Sequence, residues 1–380
     1  MHTNIPFSGN VKVGILGGGQ LGKMIIDEVM RYDIHVGVLD PSSNPPAAAY
    51  AHECVKGDFR NYDDVIAFAK DYDVLTIEIE DVNTEALRKL QSEGKKIFPQ
   101  PEVVDIFRDK CVQKDFYNKN NIATSAYQNH DGKPESPGAF PFVWKAATGG
   151  YDGKGVSVIK SRADYDQLPD VPCVIEQLVD IDREIGVVVH RNVSGKVVAF
   201  PPVEMEFHPE ANLVELVFMP ANISQALMDQ SVELACSVAR ATGIVGTLAV
   251  ELFMTKSGEL LVNECAPRVH NSGHLSIEAC FTSQFEQHMR AILDLPLGDT
   301  TAILPAAMGN VLGDAGSSGA VAYTGAEDML QASGLYLHLY GKTETRPYRK
   351  MGHITCINKD VEVARETVRN FRKSFKIHAK

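Results

Sequence analysis

The chain has little of what would tie it to a membrane, a nucleic acid or an oxidising compartment. No uninterrupted apolar stretch approaches the ~20 residues of a bilayer span, and the opening MHTNIPFSGN lacks the apolar core of a signal peptide. A membrane partner is therefore not expected. Lys and Arg number 37 against 49 Asp and Glu, a net charge of −12, which argues against nucleic acid as a partner. The seven cysteines, at 54, 111, 173, 236, 265, 280 and 356, are odd in number and form no C-x-x-C. Neither a disulfide framework nor a zinc site is expected, and a reducing, cytoplasmic setting is. Repeats and low-complexity tracts are absent. At 380 residues the chain exceeds one ordinary core and should divide into two or three domains.

What is present falls into three textures. The apolar runs VKVGILG, HVGVLD, VLTIEIE and KKIF alternate with the helical patterns QLGKMIIDEVMRY, NYDDVIAFAKDY and NTEALRKLQSEG, which predicts a parallel α/β sheet. One helix is expected across FPQPEVVDIFRDKCVQKDFYNKNN. Beyond it strands dominate, with two long helices expected at ISQALMDQSVELACSVARATG and HLSIEACFTSQFEQHMRAILDL, an α+β region with antiparallel sheets. After LPLGDTT come short strands and a last basic helix, DVEVARETVRNFRKSF. From Lys342 to the end, 11 Lys and Arg stand against 4 Asp and Glu. That run is either a solvated helix face or the neighbourhood of an anionic small molecule.

Gly17, Gly19 and Gly22 spell G-x-G-x-x-G at the first strand-to-helix junction. Such a turn lets backbone approach a phosphate at a helix N-terminus. Asp40 ends the second strand, near the spacing at which an acid meets a ribose in dinucleotide enzymes. The same glycines serve plain packing in many α/β proteins. The PSSNPPAAAY after Asp40 does not read as an ordinary continuation into a crossover helix, so the choice falls to residues downstream.

TLAVELFMTKSGELLVNECAP reads as a hairpin turning at Ser257 and Gly258. A two-residue turn pairs Lys256 with Glu259 and sets Glu251 opposite Glu264, whereas a three-residue loop shifts that register. Opposed carboxylates repel across a ladder. They either sit on a wet face or share a divalent cation, and the apolar flanks favour the cation, Mg2+ carrying nucleotide phosphates. Asn263 faces away in a regular strand and joins the same metal only through a twist or bulge. FVWKAATGGYDGKGVSVIK holds a second loop, with Gly149, Gly150, Gly153 and Gly155, suited to fold over a triphosphate. It is not the G-x-x-x-x-G-K-[ST] of a P-loop. Lys145 would be costly unpaired in the apolar FVWKAA, and it is placed to reach α/β-phosphates. NECAPRVHNSGHLSIEAC adds Arg268, His270, Asn271, Ser272 and His274. Ser272 could be a simple N-cap and the histidines packing residues; beside the paired acids they also suit an anion or reacting-group site.

Taken together, GILGGGQLGKM, TGGYDGKG, VELF...LVNECAPRVHNSGH and YGKTETRPYRKMGH resemble the ATP-grasp carboxylate-amine ligases. The resemblance runs in order over nearly the whole chain. APRVHNSGH and RKMGH are specific to the purine-synthesis branch acting on aminoimidazole ribonucleotide; the glycine loop and paired acids are shared by ATP-grasp enzymes generally. The resemblance implies a Rossmann-like N-terminal domain (1–105) that does not bind NAD, a central ATP-grasp domain (106–298) and a small C-terminal domain (299–380).

The activity it implies is ATP-dependent carboxylation of aminoimidazole ribonucleotide with bicarbonate, through carboxyphosphate, with Mg2+ and without biotin. By position, ATP would contact Arg108, Lys145, Gly149, Gly150, Tyr151, Asp152, Gly153, Lys154, Gly155, Glu176, Gln177, Leu178, Val179, Glu184, His208, Asn263 and Glu264. Glu251 and Glu264 would hold the metal. The ribonucleotide would meet Gly19, Gln20, Leu21, Glu78, His270, Asn271, Lys342, Arg346, Arg349 and Lys350, with Arg268, Lys342, Tyr151 and Asp152 at the chemistry. The resemblance also implies a homodimer whose product passes to a separate mutase. EMEFHPEANLVE departs from the family by lacking a Gly-Ile pair after His208, and YDGKGV has valine where glutamine is common. Rival readings are a formate-dependent glycinamide ribonucleotide ligase, which usually shows PRPHDTG where this chain has PRVHNSGH, an NAD-dependent oxidoreductase, and a non-catalytic nucleotide-binding regulator.

Overall fold

From Lys12 onward, short runs buried on both faces alternate with helices that bury one face, the pattern of a covered parallel sheet. The computed structural model describes residues 7, 9–136, 138–150, 155–207, 214–327 and 329–380, with backbone alone at Leu330. The N-terminal segment runs β1 (Lys12–Leu16), α1 (Gln20–Val29), β2 (His35–Asp40), β3 (Glu53–Lys56), α2 (Tyr62–Ala69), β4 (Val74–Ile77), α3 (Thr84–Ser92) and β5 (Lys96–Ile97). Its strands form one parallel sheet in the order β3-β2-β1-β4-β5. β3 is the strand no sequence pattern announces: all its residues are exposed at the sheet edge, so no apolar alternation marks it.

The single helix expected after Pro99 is two, α4 (Pro101–Arg108) and α5 (Lys110–Lys119). Asp109 divides them. Its backbone is extended, at φ −117° and ψ 116°, and its carboxylate accepts from the N–H groups of Cys111 and Val112 to cap α5. Next come β6 (Tyr127–His130), β7 (Phe142–Ala146), β8 (Val156–Ile159), α6 (Arg162–Asp166) and β9 (Cys173–Gln177). These strands make an antiparallel sheet ordered β6-β9-β7-β8. The chain continues through β10 (Ile181–Arg191), β11 (Val197–Ala199), β12 (Val203–Phe207), β13 (Val214–Met219), α7 (Gln225–Thr242), β14 (Gly246–Thr255) and β15 (Leu260–Ala266).

The second long helix expected after β15 is interrupted. α8 (Ser276–Ala279) stops where Cys280 turns extended and bridges Ala302, and Ser283 then caps α9 (Gln284–Ile292). The last segment holds β16 (Ala306–Leu312), β17 (Gly319–Thr324), β18 (Leu335–Leu339), β19 (Glu344–Thr345), β20 (Lys350–Ile357), α10 (Val361–Ser374) and β21 (Lys376–Ala379). Three of its strands extend the central sheet, whose path is β15-β14-β10-β12-β13-β16-β20-β18, with β11 beside β10.

α9 fastens the N-terminal sheet to the central one. Phe285, Met289 and Ile292 share a core with Val13, Ile15, Met24, Ile25 and Val36. Glu286 accepts from the Tyr32 hydroxyl and pairs with Arg31 and Arg290. His288, fully buried, stands between Thr76 Oγ1 at 2.8 Å and Thr247 Oγ1 at 3.0 Å. Burial pushes its imidazole down to about 4, so the ring is neutral and has one donor and one acceptor for two hydroxyls. His288→Leu keeps the volume but strands both hydroxyls. It should cost about 2–4 kcal/mol, read as a lower urea midpoint at unchanged m-value; an unchanged midpoint would remove the clamp from the account.

Candidate active site

The glycine turn leads to the first wall of the site. Gly19 caps α1, and the N–H groups of Gly19 and Gly22 both donate to Glu78, the latter at 2.6 Å. Gly18 N–H donates to Asp40 Oδ2 at 2.8 Å, and Ser42 N–H takes the other oxygen. A Cβ on Gly17 or Gly19 would fall 2.5 Å from the Glu78 side chain. The glycines thus admit a carboxylate of the chain itself, at the donors where a dinucleotide's pyrophosphate would have to sit. Burial pushes the Glu78 carboxyl up, and its two N–H donors oppose that shift. Gln20 and Leu21 follow on the first turn of α1, half-buried.

The second wall is the β14–β15 hairpin. Met254 pairs with Leu260 and Thr255 N–H donates to Glu259 O, so the connection is the three-residue Lys256–Gly258 loop, and the expected Lys256–Glu259 pair does not form. That frame alone would set Glu251 against Asn263. A bulge intervenes: Leu252 pairs with Val262 but Glu251 pairs with Glu264, leaving Asn263 as the extra residue. The bulge restores the opposed carboxylates and turns Asn263 into the cleft, where its Oδ1 accepts from Lys145 Nζ at 2.8 Å. Burial and the facing Glu264 charge push the Glu251 carboxyl up, whereas the Lys110 ammonium, 2.6 Å from Glu264, holds that carboxyl down. His270 Nε2 lies 3.6 Å from Glu251. Burial raises Glu184, on the neighbouring β10, to about 7. Among the described residues no group of three or more His, Cys, Asp or Glu is arranged to hold a metal. The opposed Glu251 and Glu264 offer carboxylate oxygens of the kind hard cations take, and a cation there would need its other oxygens from a ligand.

The third wall is the small antiparallel sheet. Lys145, buried on β7, is paired as its apolar surroundings demand: Glu176 Oε1 lies 3.0 Å away. The other Glu176 oxygen takes the Ser125 hydroxyl at 2.7 Å and lies 3.3 Å from Lys114 Nζ. Burial works against the Glu176 charge, but Lys145 and Lys114 outweigh it and hold its carboxyl below the usual range. Burial lowers Lys114 to about 8. The Glu176 carboxylate is therefore spent on orienting lysines. Gln177 and Leu178 are exposed beyond it, and Val179 O accepts from Ile181 N–H. Gly149 and Gly155 are left-handed, at φ +76° and +73°, and Gly150 stands between them in sequence. Tyr151, Asp152, Gly153, Lys154 and His208 lie outside the described residues.

The fourth wall follows β15. Arg268 Nε lies 2.8 Å from Glu80 Oε1 and its Nη1 donates to Val269 O. His270, not Ser272, is the cap of the short turn Asn271–Gly273. Asn271 and the buried Asn310 exchange amide bonds at 2.8 and 2.9 Å. His274 is the packing residue that one reading allowed: it is buried, held by Gln284 and in ring contact with His353. Lys342 Nζ donates to Lys350 O at 2.7 Å, and Arg349, near Arg346 in a tight turn, donates to Glu344 O. Farther along the basic C-terminal run, Arg365 and Arg369 pair with Glu206 and Arg372 with Glu215.

Arg108, expected at ATP, pairs with Asp105 and is 43% exposed; Lys110, which sequence reasoning did not single out, reaches Glu264. Lys110 and Lys114 were legible as an i,i+4 pair on one helix face once Asp109 is taken as the cap. Glu80 was legible too, two residues after Glu78. Gln284 and Asn310 gave no signal, since amides matter here only through what they touch.

Comparison with known proteins finds matches along most of the chain. Residues 10–108 match the ribonucleotide synthetase preATP-grasp domain, 115–285 the ATP-grasp domain, and 306–367 the phosphoribosylaminoimidazole carboxylase C-terminal domain. The chain is 38% identical over 374 residues to phosphoribosylaminoimidazole carboxylase of Candida albicans, a match covering 93% of this chain but 65% of that protein. The chain thus spans just under two thirds of the length of this relative. N5-carboxyaminoimidazole ribonucleotide synthetase of Thermotoga maritima superimposes with a TM-score of 0.89 at 41% identity, covering 97% of this chain and 100% of that one. The Aspergillus clavatus synthase in complex with ADP and 5-aminoimidazole ribonucleotide gives 0.86 at 31% identity, over 97% and 98%.

The raised Glu78 carboxyl sets a pH test. A carboxyl whose folded pKa lies above its unfolded one stabilises below the ordinary carboxylate range and loses that contribution as pH rises through the folded value. Glu78→Gln should therefore gain in melting temperature relative to the parent as pH rises above the ordinary carboxylate range. A constant or shrinking difference would show that the glycine N–H groups dominate instead.

Proposed function

The chain belongs to the N5-carboxyaminoimidazole ribonucleotide synthase family of ATP-grasp ligases, and from that premise we propose that it carboxylates 5-aminoimidazole ribonucleotide with ATP and bicarbonate, yielding N5-carboxyaminoimidazole ribonucleotide, ADP and phosphate in purine synthesis. The observation that carries this reading is the opposed Glu251 and Glu264 with Lys145 and Asn263 on the same cleft. We divide the chain at 1–105, 106–298 and 299–380, with the nucleotide held by the middle part.

Lys145, fixed by Glu176 and Asn263, presents a positioned ammonium to the nucleotide phosphates. Lys110 is a second cation within reach of them. Mg2+ held by Glu251 and Glu264 would supply charge neutralisation at the phosphates. Bicarbonate attacks the γ-phosphorus and ADP is displaced, leaving carboxyphosphate beside Arg268. The exocyclic amine of the ribonucleotide then forms the N–C bond as the C–O bond to the phosphate breaks; phosphate leaves with the electron pair and the amine gives up a proton. Gly19, Gln20, Leu21, Glu78, His270 and Asn271 orient the ribonucleotide, and Lys342, Arg346, Arg349 and Lys350 receive its phosphate ester. Tyr151 and Asp152 act with Arg268 and Lys342 on the reacting ribonucleotide. The enzyme works in the cytoplasm as a homodimer and passes its product to a separate mutase.

The test is phosphate release from ATP with Mg2+ and bicarbonate, with and without aminoimidazole ribonucleotide. Release should depend on the ribonucleotide and saturate with it; release driven by glycinamide ribonucleotide and formate instead would move the chain to the sibling ligases. Glu264→Gln should lower turnover by ~100-fold or more at unchanged circular dichroism. Lys342→Ala should raise the KM for the ribonucleotide by roughly tenfold and leave the KM for ATP alone; a change confined to ATP would assign Lys342 to the nucleotide.

A further inference from the structure

We propose that Glu80 is the positioning residue of the reacting centre, orienting the Arg268 guanidinium from the N-terminal side of the cleft and keeping carboxyl transfer in step with phosphate release. The proposal rests on the role given to Arg268 above. Glu80 Oε1 lies 2.8 Å from Arg268 Nε, and both side chains are only 21% exposed, so solvent and salt screen the pair less than a surface pair. Arg268 Nη1 meanwhile donates to Val269 O at 3.0 Å. The Glu80 carboxylate meets Nε as an ion pair rather than in line with its N–H, so its charge and the Nη1 hydrogen bond to Val269 O together bias how the planar guanidinium is set.

The source of Glu80 matters as much as its distance. It belongs to the segment that leaves β4, two residues past Glu78. Glu78 takes the N–H groups of Gly19 and Gly22, on the wall assigned to the ribonucleotide. Glu80 takes Arg268, on the wall assigned to carboxyphosphate. Two carboxylates on one short segment thus tie the acceptor's wall to the acyl donor's wall. A ribonucleotide seated against Glu78 bears on the backbone that carries Glu80, and through it on Arg268. The orientation of Arg268 is in this way matched to the presence of an acceptor.

The experiment is a double-mutant cycle with a spectroscopic control. Glu80→Gln keeps the shape and removes the charge. It should lower kcat for ribonucleotide carboxylation by about 10- to 100-fold and leave the KM for ATP within about twofold. It should also yield less carboxylated product per phosphate released than the parent. Placed on Arg268→Ala, it should add nothing, because it acts through that side chain. Glu80→Asp, which keeps the charge with a shorter reach, should lose less, and it stands in if Glu80→Gln does not fold. Parent-like kcat in Glu80→Gln, or effects that multiply in the double variant, would overturn the proposal. The Arg268 Nε–H resonance, assigned by its loss in Arg268→Ala, should shift or exchange away in Glu80→Gln without any substrate present; an unmoved resonance overturns the pair itself. A parent chain that shows no ribonucleotide-dependent release but loses the resonance in Glu80→Gln overturns the functional reading and the coupling to transfer, while the orienting contact survives.

Discussion

Two carboxylates face each other across one rung of the β14–β15 ladder, and much of the surrounding structure is arranged to make that tolerable. Like charges opposed on a sheet destabilise it, and burial sharpens the repulsion. The answer is a shell of cations from two separate elements: Lys110 from α5 and Lys145 from β7, with Lys114, also on α5, behind them through Glu176. Each of these lysines would be a liability alone in an apolar setting. Together with Glu176, Glu264, Ser125 and Asn263 they satisfy one another, so the network is poised to exchange partners with a polyanionic ligand and its cation. Such a network is also unforgiving, since removing one member leaves another buried and uncompensated.

The glycine turn follows the same logic with the signs reversed. A helix N-terminus and a run of free N–H groups form a ready anion site, and this chain fills it with Glu78, just past β4, the strand beside β1 in the sheet. The fold class is that of dinucleotide enzymes, but the occupant is internal. What reaches this wall from solvent therefore meets a carboxylate rather than open amide donors. α9, with His288 between two threonines, fixes this wall against the hairpin that bears the paired acids. Both sides of the cleft are thereby referred to one frame.

Much of this is legible in the sequence. The α/β and α+β textures, the two glycine loops, the acid pair and Lys145 all follow from spacing and from apolar context. The register of the acid pair is instructive, because the sequence argument reached the observed pairing through a turn that does not exist. A three-residue loop and a bulge at Asn263 make compensating shifts, and a bulge has no signature in one sequence beyond a polar residue in an apolar strand. Caps explain the helix errors. Asp109 and Ser283 look like ordinary helix residues until their side chains bond backward to the chain. Lys110 was missed because the break at Asp109, which puts Arg108 on α4 and Lys110 at the start of α5, is what lets the lysine reach Glu264. The basic C-terminal run hid a division of labour, since Glu206 and Glu215 lie far away in sequence from the arginines they meet.

The continuity of the central sheet has a consequence for how such a chain can be rearranged. β16 pairs directly with β13, and β20 and β18 follow, so the last segment is woven into the middle one rather than appended to it. Cutting the chain near residue 300 would not release a self-contained module. It would bare the edge of β13, where Leu216, Val217 and Phe218 are buried, and an apolar, unpaired edge recruits whatever strand is nearest. A rearrangement that keeps this sheet whole must therefore leave the junction between β13 and β16 intact.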